Sequence, residues 1–277
     1  MTGQGVSRGS SGRPLALITG ASAGIGAAFA RAYAARGHDL ALVARRAERL
    51  EALAGELSAA HGIEAFAVPA DLAAWEARDG VLGAVAARGR HVDVLVNNAG
   101  FSIAQSFAGV PWERQRDFLM TLVVNACGLA HGVIPGMVER GRGSIINVAS
   151  LTAFAPGVAG HSLYPGAKSL AVKWSQSLAA ELGDKGIRVT AVCPGFTLTE
   201  FAEANGTKQV MDQASRRFFQ TAEQVVEETL AANARGKVVL VPGWHNKVAV
   251  AILKATPEFI AIPLIKRGAA KYHLEDS

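Results

Sequence analysis

The sequence of 277 residues predicts one doubly wound α/β domain, a mainly parallel sheet of seven strands flanked by helices. Apolar runs of strand length alternate with longer segments of helical periodicity, which is typical of a parallel sheet covered on both faces. Half of the residues are hydrophobic and only 18% are charged, so the chain is globular. No internal repeat or linker divides it, and its length is near the upper size that one core serves.

The predicted elements follow one another in a regular order. Leu15–Thr19 is a short buried strand, and Ala23–Arg36 is the first helix, ended by Gly37 as a C-cap. The other strands are predicted at Asp39–Ala44, Glu64–Val68, Val92–Asn97, Ser144–Ala149, Arg188–Cys193 and Lys237–Pro242, and the other helices at Ala47–His61, Ala73–Arg88, Trp112–Arg140, His161–Leu182 and Ala222–Arg235.

Composition and charge disfavour several classes of protein. The net charge is +5, but the basic residues are scattered, so nucleic-acid binding is not predicted. Cys127 and Cys193 lie far apart in apolar stretches, which predicts buried free thiols and neither a disulfide framework nor a metal site. A reducing cytoplasm suits such thiols. No uninterrupted run of 18 apolar residues occurs, so no membrane-spanning helix is predicted.

Tyr164 and Lys168 lie four residues apart in a predicted helix, so they share one face. A phenol has an ordinary pKa of about 10, and a neighbouring ammonium favours the phenolate. The pair can therefore act as an acid/base with a lowered pKa. Because this spacing is also common on solvated helix faces, its weight depends on what surrounds it. Ser150 lies upstream at the end of an apolar run.

A glycine-rich turn joins the first strand to the first helix. It reads Thr19-Gly20-Ala-Ser22-Ala-Gly24-Ile25-Gly26. Glycines allow close backbone approach to a pyrophosphate, and the helix N-terminus supplies free N–H donors. With a strand before it and a helix after it, the turn predicts a dinucleotide site.

Taken together, these motifs resemble those of the short-chain dehydrogenase/reductase family. They are the glycine-rich turn, Asn97-Asn98-Ala99-Gly100, Ser150, Tyr164-x-x-x-Lys168 and Pro194-Gly195, in the family's order and spacing from about Pro14 to Pro242. The resemblance implies a compact, single Rossmann domain that catalyses oxidation and reduction with a nicotinamide cofactor.

The resemblance also implies four catalytic residues. Tyr164 would be the acid/base, and Lys168 would lower its pKa and bind the nicotinamide ribose. Ser150 would hold the substrate oxygen and stabilise its developing charge. Asn125 would anchor a water that relays protons to Lys168, although a plain polar helix residue is the alternative. Pro165, directly after the tyrosine, departs from the usual pattern and is tolerable only in a first helical turn.

The cofactor contacts that the resemblance implies come from six segments. They are Gly20, Ser22, Gly24, Ile25 and Gly26; Asp71 and Leu72; Asn98, Ala99 and Gly100; Tyr164 and Lys168; Pro194 and Gly195; and Thr199. Asp71 would lie near the adenine, and a role as helix N-cap is also open.

The end of the second strand favours NADP(H) over NAD(H). NAD sites usually place an acid there, but this chain has Ala44 followed by Arg45 and Arg46. Arginine matches a 2′-phosphate by charge and by its fork of donors, so Arg45 is predicted to bind it, with Ser22 as an added donor. The alternative is that both arginines begin a solvated helix.

The substrate side is predicted to be apolar. Phe196–Gln220 corresponds to the family's substrate lid and contains Phe196, Leu198, Phe201, Met211, Phe218 and Phe219, and Phe101, Ile103 and Phe107 are further candidates. Such walls suit a lipophilic carbonyl or alcohol. About half of these side chains are expected to pack the loop itself. His161 is expected to be a loop residue and not a base.

Both ends of the chain are predicted to lie outside the catalytic domain, residues 14–243. Residues 1–13, rich in Gly and Ser, are expected to be a disordered leader and not a signal peptide. Residues 244–277 are expected to form a helical extension of two short amphipathic helices packed on the domain. They would cover the substrate pocket or an oligomer face, and peripheral membrane contact is the less favoured alternative.

The predicted activity is the NADP(H)-dependent interconversion of a lipophilic ketone or aldehyde and its alcohol. Suitable substrates are 3-oxoacyl, steroid-like or general carbonyl compounds. A non-catalytic NADP(H)-sensing protein on the same fold is the main alternative, and an epimerase or dehydratase is disfavoured by the glycine pattern. A cytoplasmic homodimer or homotetramer is expected.

Overall fold

Seven parallel strands form the central sheet of the protein. The computed structural model describes residues 12–157, 160, 163–200, 218–257, 259–260 and 262–263. Its strands are β1 (Leu15–Thr19), β2 (Asp39–Ala44), β3 (Ala65–Pro69), β4 (Val94–Asn97), β5 (Gly143–Val148), β6 (Ile187–Val192), β7 (Thr197–Leu198), β8 (Gln220–Thr221) and β9 (Val239–Leu240). The sheet order is β3-β2-β1-β4-β5-β6-β9, and β7 pairs with β8 separately. This order confirms the predicted doubly wound fold.

Helices cover both faces of the sheet. They are α1 (Gly24–Ala35), α2 (Ala47–His61), α3 (Ala77–Ala86), α4 (Trp112–Leu119), α5 (Asn125–Glu139), α6 (Tyr164–Leu182), α7 (Ala222–Ala234) and α8 (Trp244–Ala255). Phe29 and Leu50 belong to the core of one face, with α1, α2 and α7. Leu129 and Leu178 belong to the core of the other, with α3, α5 and α6. Burial on both faces explains why the strands are mostly apolar.

Several predicted boundaries were wrong at the ends of the elements. The helix predicted from Ala73 begins only at Ala77, because Asp71 Oδ1 accepts a hydrogen bond from the Ala73 amide at 3.0 Å and holds a turn there. Asp71 is therefore not the N-cap of α3. The last predicted strand is reduced to Val239–Leu240. Pro165 lies in the first turn of α6, where a missing N–H costs nothing, as predicted.

The long helix predicted from Trp112 contains an irregular turn. Met120–Val124 is π-helical, and the Asn125 amide donates to the Met120 carbonyl five residues back. The whole run Trp112–Glu139 is long and apolar enough to cross a membrane by length and composition. Its residues Leu129, Ala130, Val133 and Met137 are buried in the core against the sheet, as in the core helix of a globular domain.

Candidate active site

The predicted site residues lie at the carboxyl ends of the parallel strands, where open α/β sheets bind ligands. The glycine-rich turn follows β1, Asn98 follows β4, Ser150 follows β5 and Pro194 follows β6. Tyr164 begins α6, and Lys168 lies one turn along it. The fold therefore brings together groups that lie about 170 residues apart in the chain.

Tyr164 is half-buried and hydrogen-bonded to Ser150. Burial raises the pKa of Tyr164 to about 12, and the Ser150 hydrogen bond opposes that rise. Ser150 Oγ also accepts from the Thr152 amide at 3.2 Å, which orients the serine. Desolvation of the phenolate is the larger effect on the pKa of Tyr164, and the expected lowering of that pKa by Lys168 stays a prediction. Tyr164 is therefore a neutral phenol at neutral pH, ready to donate a proton.

Lys168 is almost fully buried beneath the tyrosine. Its ammonium donates to the Val148 carbonyl at 2.7 Å and lies 5.6 Å from the centre of the Tyr164 ring. Burial lowers the pKa of Lys168 to about 8. The side chain is thus mostly cationic at neutral pH, yet close to the point at which it loses its charge.

Asn125 uses its side chain to hold a neighbouring segment. Its Nδ2 donates to the carbonyls of Leu72 and Ala74, both at 2.9 Å, and the side chain is buried. This ties the stretch after β3, which includes Asp71, to the long helix. π-turns are rare and occur often at functional sites, and here one directly precedes Asn125. The relay role of Asn125 stays a prediction.

A small cavity beside Lys168 adds two residues to the site. The sequence analysis missed Asn147 and gave Asn97 no role in proton transfer. Lys168, Asn97, Asn147 and Thr121 are among its lining residues. Asn97 donates to Asn147 Oδ1 at 3.0 Å, and Asn147 donates to Ser175 Oγ at 2.8 Å. The buried Asn97 Oδ1 has no hydrogen-bond partner among the described residues. An asparagine within the apolar run of β5 was the available signal for Asn147.

The glycine-rich turn has no room for side chains. Gly20 and Gly24 have φ values of +67° and +54°, in the left-handed region that favours glycine. A Cβ on Gly26 would lie 2.1 Å from the Gly20 carbonyl oxygen. Ile25, in the first turn of α1, is partly buried and packs against the core. The turn is thus held tight by packing, which leaves backbone exposed for a phosphate.

Hydrogen bonds join the end of β4 to the glycine-rich turn. Asn98 Nδ2 donates to the Thr19 carbonyl at 2.9 Å, and Thr19 Oγ1 accepts from the amides of Asn98 and Ala99 at 2.9 and 3.0 Å. A Cβ on Gly100 would meet the Leu122 side chain at 3.3 Å, beside the π-turn. These bonds agree with the sheet-steadying role that the resemblance implies.

The 2′-phosphate end of the predicted cofactor site is an exposed charge cluster. Arg46 donates twice to Ser22 Oγ, at 3.0 and 3.2 Å. Glu200 pairs with Arg49 at 2.9 Å and with Arg46 at 3.4 Å. Arg49, which the sequence analysis missed, follows Arg46 by three residues and therefore shares its helix face. Arg45 is exposed, with no ion pair or hydrogen bond to the other described residues.

The loop after β6 runs back over the glycine-rich turn. The Pro194 carbonyl accepts from the Leu151 amide at 3.0 Å. A Cβ on Gly24 would lie 3.1 Å from the Thr199 side chain, so Thr199 lies directly over the turn. A Cβ on Gly195 would lie 2.5 Å from Asn246 of α8, another residue that the sequence analysis missed.

A second cavity adjoins Tyr164 on the substrate side. It is lined by Ile103, Gln105, Phe107, Gln115, Phe118, Leu163 and Tyr164. Phe118, whose ring centre lies 6.3 Å from that of Tyr164, was missed because it belongs to the long helix. Phe101 packs edge-on against Phe118, with ring centres 5.6 Å apart.

The predicted lid residues are only partly described. Phe196 and Phe219 stack with ring centres 5.5 Å apart, while Leu198 and Phe218 are exposed. Phe196 and Phe219 therefore pack against each other, in line with the expectation that some lid residues pack the loop itself. Phe201, Met211 and His161 lie outside the described residues.

Comparisons with known proteins agree with this geometry. Residues 14–210 match the family model of short chain dehydrogenases. A serine 3-dehydrogenase from Rhizobium radiobacter is 36% identical over 200 residues, covering 71% of this chain and 78% of the relative. A structure of a 7β-hydroxysteroid dehydrogenase superposes with a TM-score of 0.81 at 27% identity, covering 91% of this chain and 96% of that one. A short-chain dehydrogenase from Sphingobium yanoikuyae in complex with NADPH has a TM-score of 0.75 at 32% identity, with coverages of 88% and 97%.

Proposed function

The chain belongs to the short-chain dehydrogenase family, and from that membership and its site geometry we propose a specific reaction. The protein interconverts a lipophilic ketone or aldehyde and its alcohol, with NADP(H) as the preferred cofactor. The observation that carries this proposal is the Tyr164 hydroxyl, which is hydrogen-bonded to Ser150 and lies beside the Lys168 ammonium.

Tyr164 handles the proton in this reaction. The hydroxyls of Ser150 and Tyr164 both donate hydrogen bonds to the carbonyl oxygen of the substrate. The nicotinamide, when bound, supplies the hydride to the carbonyl carbon. As negative charge develops on the oxygen, Tyr164 gives up its proton to it, and the O–H bond of the tyrosine breaks. Alcohol oxidation runs through the same steps in reverse.

Lys168 stabilises the phenolate that the proton transfer leaves behind. Its charge lies one helical turn from the tyrosine, in a buried setting where electrostatic interactions are strong. Lys168, Asn97 and Asn147 bring polar groups to this cavity, and the unsatisfied Asn97 Oδ1 suits an ordered water. We assign the proton relay to this cavity, with Asn125 positioning its outer wall.

The cofactor preference is proposed from Ser22, Arg46 and Arg49. Arg46 and Ser22 are already in contact, so a 2′-phosphate would meet a hydroxyl and a guanidinium fork together. The Gly20–Gly26 turn presents free backbone to the pyrophosphate. The NADPH complex of the Sphingobium yanoikuyae relative supports the same cofactor.

The substrate class is proposed from the cavity next to Tyr164. Four of its seven lining residues are apolar, which suits a lipophilic substrate, and Gln105 adds an amide for a polar group. The similar proteins named above include a serine and a hydroxysteroid dehydrogenase. The cavity favours the second kind of substrate.

The test is a spectrophotometric screen of NADPH oxidation with a series of ketones of rising size, and of NADP reduction with the matching alcohols. We expect turnover to increase with apolar bulk and to be at least about tenfold faster with NADPH than with NADH at low cofactor concentration. Tight NADPH binding without turnover of any carbonyl would instead support the non-catalytic NADP(H)-sensing protein.

A homodimer or homotetramer in the cytoplasm is part of the same proposal. Val124 and Val138 on the Trp112–Glu139 run and Leu170 on α6 are exposed, so both long helices offer apolar contact surfaces. Multi-angle light scattering of the purified chain tests the assembly, and a monomer at micromolar concentration would contradict it.

A further inference from the structure

Helix α8 exposes an apolar stripe on the side that faces away from the protein. Trp244, Val248 and Ile252 follow at intervals of four residues and are 75%, 50% and 61% exposed. The opposite side of the helix is anchored, since Asn246 and Val250 are buried. An amphipathic helix normally turns its polar side to water. In α8 an apolar stripe faces water instead, and none of the described residues covers it.

Further exposed apolar residues follow the helix in the chain, namely Phe259, Ile260 and Ile262. Together with Trp244, Val248 and Ile252 they are called the C-terminal apolar surface. Large exposed apolar surfaces mark sites of interaction with membranes or proteins.

Positive charge accompanies this surface. Lys247 and Lys254 are the charged residues of α8, and the Lys254 ammonium lies 4.8 Å from the centre of the Phe154 ring. In the sequence, Lys266, Arg267 and Lys271 follow, and Glu258, Glu275 and Asp276 leave residues 244–277 with five basic against three acidic residues. Basic residues beside an apolar stripe, with a tryptophan at one end, are the features of helices that lie at the surface of an anionic membrane.

We propose that the C-terminal apolar surface docks the protein on an anionic lipid bilayer. With 12 residues, α8 is about 18 Å long, far short of the roughly 30 Å of a hydrocarbon core. It therefore lies in the interface, with Trp244, Val248 and Ile252 turned towards the acyl chains and Lys247 towards the headgroups.

A second copy of the chain fits this surface less well. Most homodimers use the same patch on both subunits, so pairing through the stripe would bring the Lys247 side chains of both copies into one interface. Like charges in such an interface are unfavourable. Anionic headgroups satisfy the same lysines.

The docking surface is rigidly connected to the candidate active site. Asn246 Nδ2 donates to the Pro242 carbonyl at 2.8 Å and to Gln220 Oε1 at 3.2 Å, and the asparagine packs against Gly195. The ring of His245 lies 5.9 Å from that of Phe218, which belongs to the predicted lid. Docking would place the rim of the site close to the bilayer. The docking itself does not depend on the reaction proposed above.

The test is flotation of the full chain with lipid vesicles. The vesicles contain phosphatidylcholine and phosphatidylglycerol in a three-to-one ratio, with pure phosphatidylcholine for comparison. We expect the protein to float with the anionic vesicles, and Trp244→Ser, or Val248→Ser together with Ile252→Ser, to lower the bound fraction by about fivefold or more. These side chains are exposed, so the variants should fold, which circular dichroism checks.

Trp75→Ser is the matched control. Trp75 is 74% exposed, as Trp244 is, but lies between β3 and α3. Its variant should float like the original protein. The proposal is overturned if the original protein stays unbound, if Trp75→Ser lowers binding as much as Trp244→Ser, or if neither α8 variant lowers it. Light scattering tests whether a second copy of the chain covers this surface instead. That alternative is indicated if the original protein binds no vesicles and the α8 variants lose an oligomer that it forms.

Discussion

The two ends of the candidate site are governed by different physics. Ser150, Tyr164 and Lys168 form the proton-transfer end, where desolvation raises the pKa of Tyr164 to about 12 and lowers that of Lys168 to about 8. The phosphate end, formed by Ser22, Arg46, Arg49 and Glu200, is exposed, and Glu200 is 54% accessible within its ion pairs. Removing one functional group should therefore lower activity greatly at the proton-transfer end. At the phosphate end, screening by water and salt should keep changes in cofactor affinity small.

The largest effect is expected from Tyr164→Phe, which removes the proton donor and leaves the ring in place. We expect carbonyl reduction to fall by about 10²- to 10⁴-fold, while NADPH affinity, measured by fluorescence titration, changes little. Tyr33→Phe is the control, because Tyr33 is another buried tyrosine with a raised pKa, far along the chain in α1. Full reductase activity in Tyr164→Phe would remove the basis for a distinct proton-transfer end.

The pH dependence of reduction tests the same end. Because burial lowers the pKa of Lys168 to about 8, the ammonium is present below that pH and is lost above it. Tyr164 keeps its proton up to about 12 and cannot cause a change near 8. We expect kcat/KM for reduction to be constant below about pH 7 and to fall about tenfold per unit well above pH 8. A profile that stays flat to about pH 10 would contradict this assignment.

At the phosphate end, Arg46→Ala should weaken NADPH binding by about tenfold and leave NADH binding nearly unchanged. The loss corresponds to one charge-assisted contact to the 2′-phosphate. Isothermal titration with both cofactors measures it. Arg36→Ala is the matched control, since Arg36 is a similarly exposed arginine paired with Glu227. Equal losses for NADPH and NADH would show that Arg46 does not read the 2′ position, and the same titration of Arg45→Ala tests that prediction.

The smallest effect is expected from Glu200→Gln. Glu200 occupies the arginines that a 2′-phosphate would need, so removing its charge should tighten NADPH binding about two- to threefold at low salt. The gain should vanish at high salt. Glu56→Gln is the control. It removes a similarly exposed carboxylate from its pair with Arg31 and should leave the NADPH affinity unchanged. If Glu200→Gln still binds NADPH more tightly at high salt, the charges at the phosphate end are not screened by solvent, and the comparison of the two ends is contradicted.

Local patterns predicted much of the site because the residues concerned lie at the ends of strongly apolar strands. The bounds of β1, β2 and α2 were confirmed to the residue. Tyr164 and Lys168 do share one face of α6, as their spacing predicted. The π-turn before Asn125 had no signature in the sequence, because it replaces one hydrogen-bond register by another within a helix of ordinary composition.

Periodicity and motif spacing were sufficient for the strands, the glycine-rich turn and the family, since the pattern that identifies each of them lies within a few residues of the chain. The charge state of Tyr164 was not predictable in that way. It depends on burial produced by α6, the loop after β5 and the substrate-side cavity together. The same holds for Arg46 with Ser22, for Asn246 against Gly195 and for the outward stripe of α8. Desolvation and long-range contact are properties of the packed chain, and only the tertiary arrangement decides which side of a helix faces water.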